Sequence, residues 1–409
     1  MQNVQTLKLS RATLMFPLAL VLFEFSVYIG NDLVQPAMLA ITQDFGVSSA
    51  WAPSSMSFYL LGGACVAWLL GPLSDRLGRK KVLLAGVAFF VLTCLAILLT
   101  QNIESFLALR FLQGVGLSMI SAVGYAAVQE SFEERDAIKV MALMANISLL
   151  APLLGPVVGA FMIDHVSWHW GFIGIAFLAF LSWFGLKAKM PATQQRHSKK
   201  PLRYIWDDYK TVYKNKTFLA LTFGLPMVAM PLMLWIALSP VILVEELGLS
   251  SMQYGLAQFP VLGGLILGNI VLIKFIDKMA LGKTVLLGLP LMFVGTLLVV
   301  LGTIFQSYFL PLLIVGMTLV SFGEGISFSV LYRFALMSSE VPKGTVAAAV
   351  SVLMMFTFFF VIELVRMAYV AFGLWAYSLV CLILIALWFS FPRATVKKVM
   401  QKRLERGVY

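Results

Sequence analysis

The feature that most constrains this chain is a series of twelve apolar segments, each long enough to cross a bilayer as a helix. A spanning helix needs about 20 mostly apolar residues. The 409-residue chain is 60% hydrophobic and 12% charged, which is typical of a polytopic membrane protein and excludes a soluble domain. The predicted spans lie roughly at 13–35, 51–70, 82–100, 104–130, 139–163, 169–187, 217–244, 252–275, 284–306, 308–334, 344–369 and 372–391.

The distribution of Lys and Arg predicts the orientation of these spans. If the N-terminus is cytoplasmic, all of the 30 Lys and Arg except Arg110 and Arg366 fall in cytoplasmic segments or at their edges. Basic residues favour the cytoplasmic loops of membrane proteins. The pattern predicts that both termini are cytoplasmic, and it accounts for the net charge of +11 without a nucleic-acid partner.

A long polar segment divides the spans into two groups of six. The segment contains Trp206 and several tyrosines, which favours an amphipathic helix on the inner surface, whereas the basic C-terminal tail is interpreted as solvated. The sequence predicts an all-α fold of two pseudo-symmetric six-helix bundles. The expected parts are a bundle at 1–190, a linker at 191–216, a bundle at 217–392 and a tail at 393–409.

The two halves share short sequences at one fixed offset. Residues 45–49, FGVSS, match residues 247–251, LGLSS, at an offset of 202. The pair Asp75-Arg76 matches Asp277-Lys278 at the same offset. A parallel repeat of this kind predicts a substrate site near the bilayer midplane between the halves.

The first span carries two acids, Glu24 and Asp32, and no basic residue. An ionisable residue inside a span is costly and is by default a functional candidate. On a helix the acids lie on one broad polar face, separated by roughly 80° and roughly 12 Å, together with Tyr28, Asn31 and Gln35. The alternative is a structural acid bonded to a neighbouring helix.

The fourth span opens with residues 107–114, LALRFLQG, which place Arg110 inside the membrane. The first and fourth spans run in opposite directions, so Arg110 and Asp32 are predicted to lie at nearly the same depth. The Arg charge is permanent. A partnership between the two residues is therefore geometrically allowed.

A turn motif follows the second span at residues 71–80, GPLSDRLGRK. Its glycines suit unusual backbone angles, and one acid, Asp75, stands among the four bases Arg76, Arg79, Lys80 and Lys81. We expect Asp75 to accept hydrogen bonds from a helix N-terminus or a neighbouring Arg and so to latch one conformation. The alternative is an ordinary basic loop, which explains the bases and leaves Asp75 and the glycines unexplained.

The fifth span contains residues 151–160, APLLGPVVGA. Gly155 and Gly159 form a face of small residues that permits close helix packing. Pro152 and Pro156 are expected to bend the helix. The alternative to a specific motif is a generic, kinked packing helix.

These motifs resemble those of a known family. Residues 71–80 and 107–114 are similar to the G-x-L-x-D-R-x-G-R-K and L-x-x-R-x-x-Q-G motifs of the major facilitator superfamily, and 151–160 resembles the motif of its drug-exporting antiporters. Over nearly its whole length the chain resembles the MdfA-type multidrug/proton antiporters, and within that group the CraA-type chloramphenicol exporters. The segments that carry this likeness are 23–26, 28–32, 124–127, 129–134 and 343–346.

The resemblance implies a proton-driven antiporter of a bacterial inner membrane. It would export chloramphenicol, other phenicols and further lipophilic neutral or cationic drugs by alternating access. We expect a monomer that is not an enzyme and that uses no cofactor, metal or nucleic acid. The runner-up is a proton-coupled uptake symporter of the same fold, which would not need the motif in the fifth span.

The resemblance also implies residue roles. It assigns proton and drug coupling to the two acids of the first span, and conformational coupling to Arg110 and to the turn motif. Cavity contacts would extend to the seventh and eleventh spans. The residues concerned are Glu24 and Asp32 for coupling, Arg110, Asp75, Arg76, Gly78 and Arg79 for conformational change, Pro152, Gly155, Pro156 and Gly159 for the antiporter motif, and Tyr28, Asn31, Met56 and Tyr125 for the cavity.

The tenth span departs from the family pattern by carrying an acid, Glu324, which we predict to be a third coupling acid. Its neighbours Gly323 and Gly325 leave room for another helix, a ligand or water. The alternative is a carboxyl bonded to the backbone of the fourth or eleventh span. Glu363 in the eleventh span is expected to form a structural ion pair with Arg366.

Overall fold

A computed structural model describes residues 13–191, 202–275, 278–279, 282–390 and 392–405, and over these ranges the chain is helical and has no strand. The predicted all-α fold class is confirmed. Eleven helices in the described ranges are long and apolar enough to cross a membrane. The predicted fifth span lies in a further helix, Glu134–His165, whose described apolar part is Leu150–His165.

The chain divides into two compact units. The first comprises Met1–Ser49 and Ser55–Arg203. Its helices are α1 (Met15–Asp32), α2 (Val34–Asp44), α3 (Ser54–Leu77), α4 (Arg79–Ile97), α5 (Ile103–Ser118), a π-helical turn (Met119–Gly124), α6 (Tyr125–Ser131), α7 (Glu134–His165) and α8 (His169–Lys189).

The second unit comprises Ala50–Ser54 and Tyr204–Tyr409. Its helices are α9 (Leu202–Lys214), α10 (Lys216–Pro240), a π-helical turn (Val241–Glu246), α11 (Ser251–Phe275), α12 (Lys283–Ile304), α13 (Phe309–Met337), α14 (Lys343–Phe372), α15 (Leu374–Ser390) and α16 (Pro392–Glu405). The matched residue Asp277 of the predicted repeat lies outside the described residues.

The first predicted span is longer than expected and is interrupted. The helix breaks at Leu33 and resumes as α2, which ends at Asp44 rather than near residue 35. Pro36 has no N–H to donate to the carbonyl of Asp32 four residues earlier, which explains an interruption at this point. The break therefore coincides with one of the two acids of the span.

The shared sequence of the two halves has a shared backbone conformation. Gly46 and Gly248 both adopt positive φ angles, 64° and 68°, at the end of the first span of their half. A left-handed residue just after a helix lets the following amides satisfy the last free carbonyls. The amide of Val47 does this by donating to the carbonyl of Thr42 at 2.9 Å.

Glycines bring α13 against α12. Gly316 faces Gly295, and a Cβ on either would lie about 2.5–2.6 Å from the other's carbonyl oxygen. Seven residues along each helix, Gly323 and Gly288 repeat the arrangement at 2.7 and 2.6 Å. Two turns of matched glycines allow the backbones to touch, as small residues do in membrane helix pairs.

The C-terminal tail packs on the second unit, contrary to the prediction that it is solvated. Its described part forms α16, in which Val396 is fully buried. Lys397 and Lys398 remain exposed. One side of α16 is apolar and is buried against the unit. The many basic residues of the tail make this apolar side hard to recognise in the sequence.

Candidate functional site

The two acids of the first span are both buried. Glu24 is fully buried, and Asp32, the last residue of α1, is 5% exposed. Removing a carboxylate from water is costly unless it is paired, hydrogen-bonded or neutralised. The surroundings of each acid therefore determine what it can do.

Glu24 is held by a tyrosine from the fourth span. The hydroxyl of Tyr125 donates to Glu24 Oε1 at 2.8 Å. Tyr125 is the first residue of α6 and follows directly on the π-helical turn Met119–Gly124. A π-helical turn is rare, shifts the helical register and occurs frequently at functional sites. The turn sets the direction in which Tyr125 leaves the helix.

Arg110 lies at the centre of a buried polar network. Its Nε donates to Ser55 Oγ at 3.0 Å, and Nη1 donates to the carbonyl of Gly30 at 3.1 Å and to Gln113 Oε1 at 2.8 Å. Nη2 donates to Asn31 Oδ1 at 3.3 Å. The guanidinium is fully buried, and these four bonds compensate its loss of water.

The side-chain amide of Asn31 connects Arg110 to Asp32 by hydrogen bonds. Asn31 Nδ2 donates to Asp32 Oδ1 at 3.1 Å, while its Oδ1 accepts from Arg110. Among the ion pairs of the described residues, none joins Arg110 to Asp32. The side chains share a network, as the depth argument allowed, and Asn31 is the link between them.

Tyr59 completes the network and was not predicted. Its ring centroid lies 4.5 Å from the Arg110 guanidinium carbon, and its hydroxyl donates to the carbonyl of Val27 at 2.8 Å. A guanidinium over an aromatic face gains a cation–π attraction that strengthens away from water. A tyrosine in an apolar span is visible in the sequence, but its partner depends on which helices are neighbours.

The glycines of the fifth span pack on the break in the first. A Cβ at Gly155 would lie 2.6 Å from Asp32 Cβ, and one at Gly159 would lie 2.5 Å from the carbonyl oxygen of Leu33 and 2.7 Å from Pro36. α7 continues through Pro152 and Pro156 without ending. The face of small residues thus allows the backbone of α7 to approach Asp32.

The remaining predicted cavity residues occupy two helices of the first unit. Tyr28 is half-buried on α1, one turn from Glu24, and Met56 is 3% exposed on α3, next to Ser55. Tyr28 therefore lies one helical turn from the buried acid Glu24, and Met56 is the chain neighbour of Ser55 in the Arg110 network.

The turn motif forms a second cluster of charges. Arg79 forms an ion pair with Asp75, donates to Ser74 Oγ and donates to Glu130 Oε1 at 3.0 Å. Arg79 is 7% exposed. Arg76 is half-buried. Asp75 is therefore bonded to a neighbouring Arg, one of the two predicted arrangements, and Glu130 of α6 is an additional member.

The two motif glycines differ in conformation. Gly78 has a φ of 95° and separates α3 from α4, so a side chain there would be strained. Gly71 lies within α3 and does not need a glycine's backbone freedom, contrary to the expectation for this turn. Residues 71–77 are the last turns of a helix, and the tight turn is at Gly78 alone.

In the second unit, Glu324 is buried at 6% exposure. Within the described part of the chain its Oε2 has no hydrogen-bond partner. A Cβ at Gly323 would lie 2.7 Å from the carbonyl oxygen of Gly288 in α12, and one at Gly325 would lie 2.5 Å from that of Leu265 in α11. The sequence predicted another helix, a ligand or water beside these glycines, and the structure shows that neighbouring helices occupy the space.

Two further contacts of the second unit involve polar side chains. Trp235 Nε1 donates to Gln258 Oε1 at 2.6 Å, a buried pair between α10 and α11 that sequence reasoning missed. Arg366 Nε donates to Glu363 Oε2 at 2.8 Å, so the predicted ion pair is present. Buried polar groups need partners. The i,i+3 spacing of Glu363 and Arg366 indicates their pairing in the sequence, whereas Trp235 and Gln258 lie on different helices and have no such signal.

The membrane-spanning helices and the buried charges in them define a class of protein, the multi-pass membrane transporters. Residues 20–365 match the Major Facilitator Superfamily, and the chain belongs to that superfamily. The prediction that it is a transporter rather than an enzyme is confirmed.

Relatives of the chain include a chloramphenicol resistance protein and multidrug transporters. It is 70% identical over 409 residues to the chloramphenicol resistance protein CraA of Acinetobacter baumannii, covering 100% of this chain and 99% of that protein. It is 47% identical over 363 residues to the multidrug transporter MdfA of Yersinia pestis, covering 88% and 89%. MdfA of Escherichia coli O157:H7 is 46% identical over 384 residues, covering 94% of each chain. The predicted resemblance to the MdfA and CraA groups is confirmed.

Solved structures share the fold at low identity. A D-xylose–proton symporter has a TM-score of 0.72 at 16% identity, covering 93% of this chain and 97% of that one. The human organic anion transporter MFSD10 has a TM-score of 0.66 at 17% identity, covering 94% and 99%. At these identities the likeness shows the major facilitator fold alone.

Proposed function

We propose that this protein is a proton-driven antiporter that exports chloramphenicol, other phenicols and further lipophilic neutral or cationic drugs. It would act by alternating access in a bacterial inner membrane, as a monomer with both termini in the cytoplasm. The 70% identity to a chloramphenicol resistance protein over the whole chain supports the drug class. The distribution of Lys and Arg supports the orientation.

The observation that carries the proposal is the burial of two carboxyl groups in one membrane-spanning helix. Glu24 and Asp32 are both at most 5% exposed, and each has a polar partner that contacts it directly. A helix that only anchors the chain has no use for buried acids, because each raises the cost of insertion. Acids that bind and release protons during a cycle justify that cost.

The proposed mechanism follows from charge. A carboxyl group in a dry site is favoured in its neutral form, and access to water or a nearby cation favours the charged form. Opening towards the more acidic side loads a proton, and opening towards the cytoplasm releases it. The charged site then accepts a cationic drug by attraction, or a neutral drug by hydrogen bonds. The proton and the drug antagonise each other through the same acids or the same conformations.

The other clusters take supporting roles in this proposal. Tyr28, Asn31, Met56 and Tyr125 contact the drug beside the first span. Arg110 links Asp32 to the rest of the network through Asn31. The cluster of Asp75, Arg76, Gly78, Arg79 and Glu130 holds one conformation of the first unit. Glu324 is a third acid, supplied by the second unit.

Transport in everted membrane vesicles tests the direction of coupling. After respiration has pumped protons into the vesicles, the antiporter should accumulate labelled chloramphenicol inside them as protons leave. The gradient should collapse faster when drug is added, and an uncoupler should abolish accumulation. A proton-coupled uptake symporter would instead expel the drug from such vesicles together with protons. That result, or accumulation insensitive to the uncoupler, would refute the proposal.

A further inference from the structure

An acid and a buried aromatic ring are joined at the end of the first unit that the Lys and Arg pattern predicts to be external. Trp168 Nε1 donates to Asp44 Oδ2 at 2.7 Å. Asp44 is the last residue of α2, and Trp168 lies in the short connection between α7 and α8. The indole is 7% exposed and packs edge-on against Phe45, Phe106 and Phe172, at centroid distances of 6.1, 6.2 and 6.0 Å.

The second unit contains a contact of the same kind. The hydroxyl of Tyr369 donates to Glu246 Oε1 at 2.6 Å. Glu246 is the last residue of the π-helical turn that extends α10, and Tyr369 is in the last turn of α14. Tyr369 is 8% exposed. Both acids are on the exposed surface, and both rings are buried.

The two contacts occupy equivalent positions in the repeat. Glu246 follows Asp44 by 202 residues, the offset that relates the two halves, and Tyr369 follows Trp168 by 201. Gly46 and Gly248, each two residues after the acid, share their left-handed conformation. The side chains differ, indole against phenol and aspartate against glutamate, while the bond from an aromatic donor to a carboxylate is the same.

A role as membrane-interface aromatics does not explain these rings. Interface Trp and Tyr residues orient their polar ends towards the headgroups from an exposed position. Trp170 and Tyr308 have that character, with exposures of 58% and 66%. Trp168 and Tyr369 instead direct their donors to a specific carboxylate of the same unit. A hydrogen bond with one charged partner is stronger than a neutral one.

We propose that Asp44–Trp168 and Glu246–Tyr369 are a pair of equivalent positioning contacts, here termed the acid–aromatic clasps. Each clasp fastens the end of the first span of its half to the end of the fifth. In the first unit, Asp44 lies twelve residues from Asp32, roughly 18 Å along the helix. Gly155 of α7 packs on Asp32, at the opposite end of this roughly 18 Å stretch from the clasp. One contact is at Gly155 within α7 and the other is at Trp168, in the connection that follows α7. Together they keep the first and fifth spans close and so fix the position of Asp32 relative to α7.

Hydrogen–deuterium exchange of the purified full chain tests the clasps directly. Trp168→Phe removes the N–H donor and keeps a ring, and Tyr369→Phe removes only the hydroxyl. We expect Trp168→Phe to speed exchange at least about fivefold in residues 37–47 and to leave 241–250 unchanged. Tyr369→Phe should do the reverse. About fivefold is the factor for one neutral hydrogen bond of ordinary net strength, and a carboxylate acceptor strengthens the bond. Trp170→Phe and Tyr308→Phe are the matched controls. Exchange unchanged from the wild type in both clasp variants would overturn the proposal.

Rescue and transport kinetics separate positioning from general stability. Asp44→Asn keeps an acceptor for Trp168 and should retain slow exchange. Asp44→Ala removes the acceptor and should match Trp168→Phe. The double variant Asp44→Ala, Trp168→Phe should exchange no faster than either single variant. The functional consequence rests on the proposed function: the clasp variants should lower the maximal transport rate and leave the drug concentration for half-maximal rate unchanged. Additive effects in the double variant would contradict the clasp. Because exchange is measured without transport, failure of proton coupling would leave the clasp result intact.

Discussion

Gly155 packs so closely on Asp32 that a single methyl group added at Gly155 would lie 2.6 Å from Asp32 Cβ and 3.0 Å from its carbonyl carbon. The motif that resembles the drug-exporting antiporters is thereby in contact with one of the two buried acids of the first span. The contact gives a physical meaning to the small residue: the backbone of α7 forms one wall beside the acid.

Gly155→Ala tests this contact. The added methyl must separate α7 from α1 at Asp32, and overpacking of a tight contact costs about 1–3 kcal/mol. We expect export to be lost or strongly reduced and the melting temperature in detergent to fall. Gly174→Ala is the control, since nothing lies within 4 Å of a Cβ at that helical position. It should be neutral or stabilising by up to about 1 kcal/mol. Normal export by Gly155→Ala would show that the contact is dispensable.

Asn31→Ala tests the link between Arg110 and Asp32. The amide joins the two side chains, so its removal should change the pH dependence of drug-induced proton release. Arg110→Ala should change it as well, and the double variant should be no worse than Arg110→Ala alone, because coupled residues are not additive. Arg110→Lys, which keeps the charge, should retain part of the activity. Proton-release curves of Asn31→Ala that overlay the wild type would argue for independent roles.

Substitution of Glu324 tests whether the second unit supplies a working acid. If Glu324 contacts drug or proton, Glu324→Ala should impair export of some compounds more than others. If the carboxyl is structural, resistance to every drug should fall by a similar factor together with the melting temperature. Drug-susceptibility panels and thermal melts of the same variant decide between these results. If cells that express Glu324→Ala keep full resistance to every drug, Glu324 is not part of the functional site.

Glu130→Gln tests the charge cluster of the turn motif. Glu130 accepts from Arg79 at 3.0 Å, and a charge-assisted hydrogen bond contributes about 1.5–3 kcal/mol. We expect slower transport with little change in drug affinity, because the role proposed for the cluster is to hold one conformation and not to contact drug. Glu133→Gln, which alters an exposed acid three residues further on, is the control. Equal effects of the two substitutions would show that Glu130 contributes only its negative charge and has no specific role through Arg79.

The sequence was sufficient for the approximate positions of the spans and for the charges inside them, although the first span extends to Asp44 instead of ending near residue 35. Apolar length is a direct consequence of bilayer thickness, and Glu24, Asp32, Arg110 and Glu324 are conspicuous because each stands in an apolar run. Their burial follows from the same cost. The prediction of both termini in the cytoplasm rests on the Lys and Arg pattern and stays a prediction.

The partners of these charges required the structure. Tyr59, Ser55 and Glu130 reach Arg110 and Arg79 from other helices, and no pattern along one helix reveals which helices are neighbours. The break beside Asp32 was also missed, although Pro36 is a local signal that could have indicated it. The docking of α16 was missed because its apolar residues are few and its basic residues many.

The most direct test of the central claim is drug-induced proton release from the purified protein in weakly buffered detergent solution. Addition of chloramphenicol, or of compounds from a panel of neutral and cationic drugs, should release protons from the wild type and from Glu104→Gln, which alters an exposed acid. The folded double variant Glu24→Gln, Asp32→Asn should release none. Undiminished proton release from the double variant would contradict the assignment of the coupling acids, and absence of release from the wild type would contradict proton antiport itself.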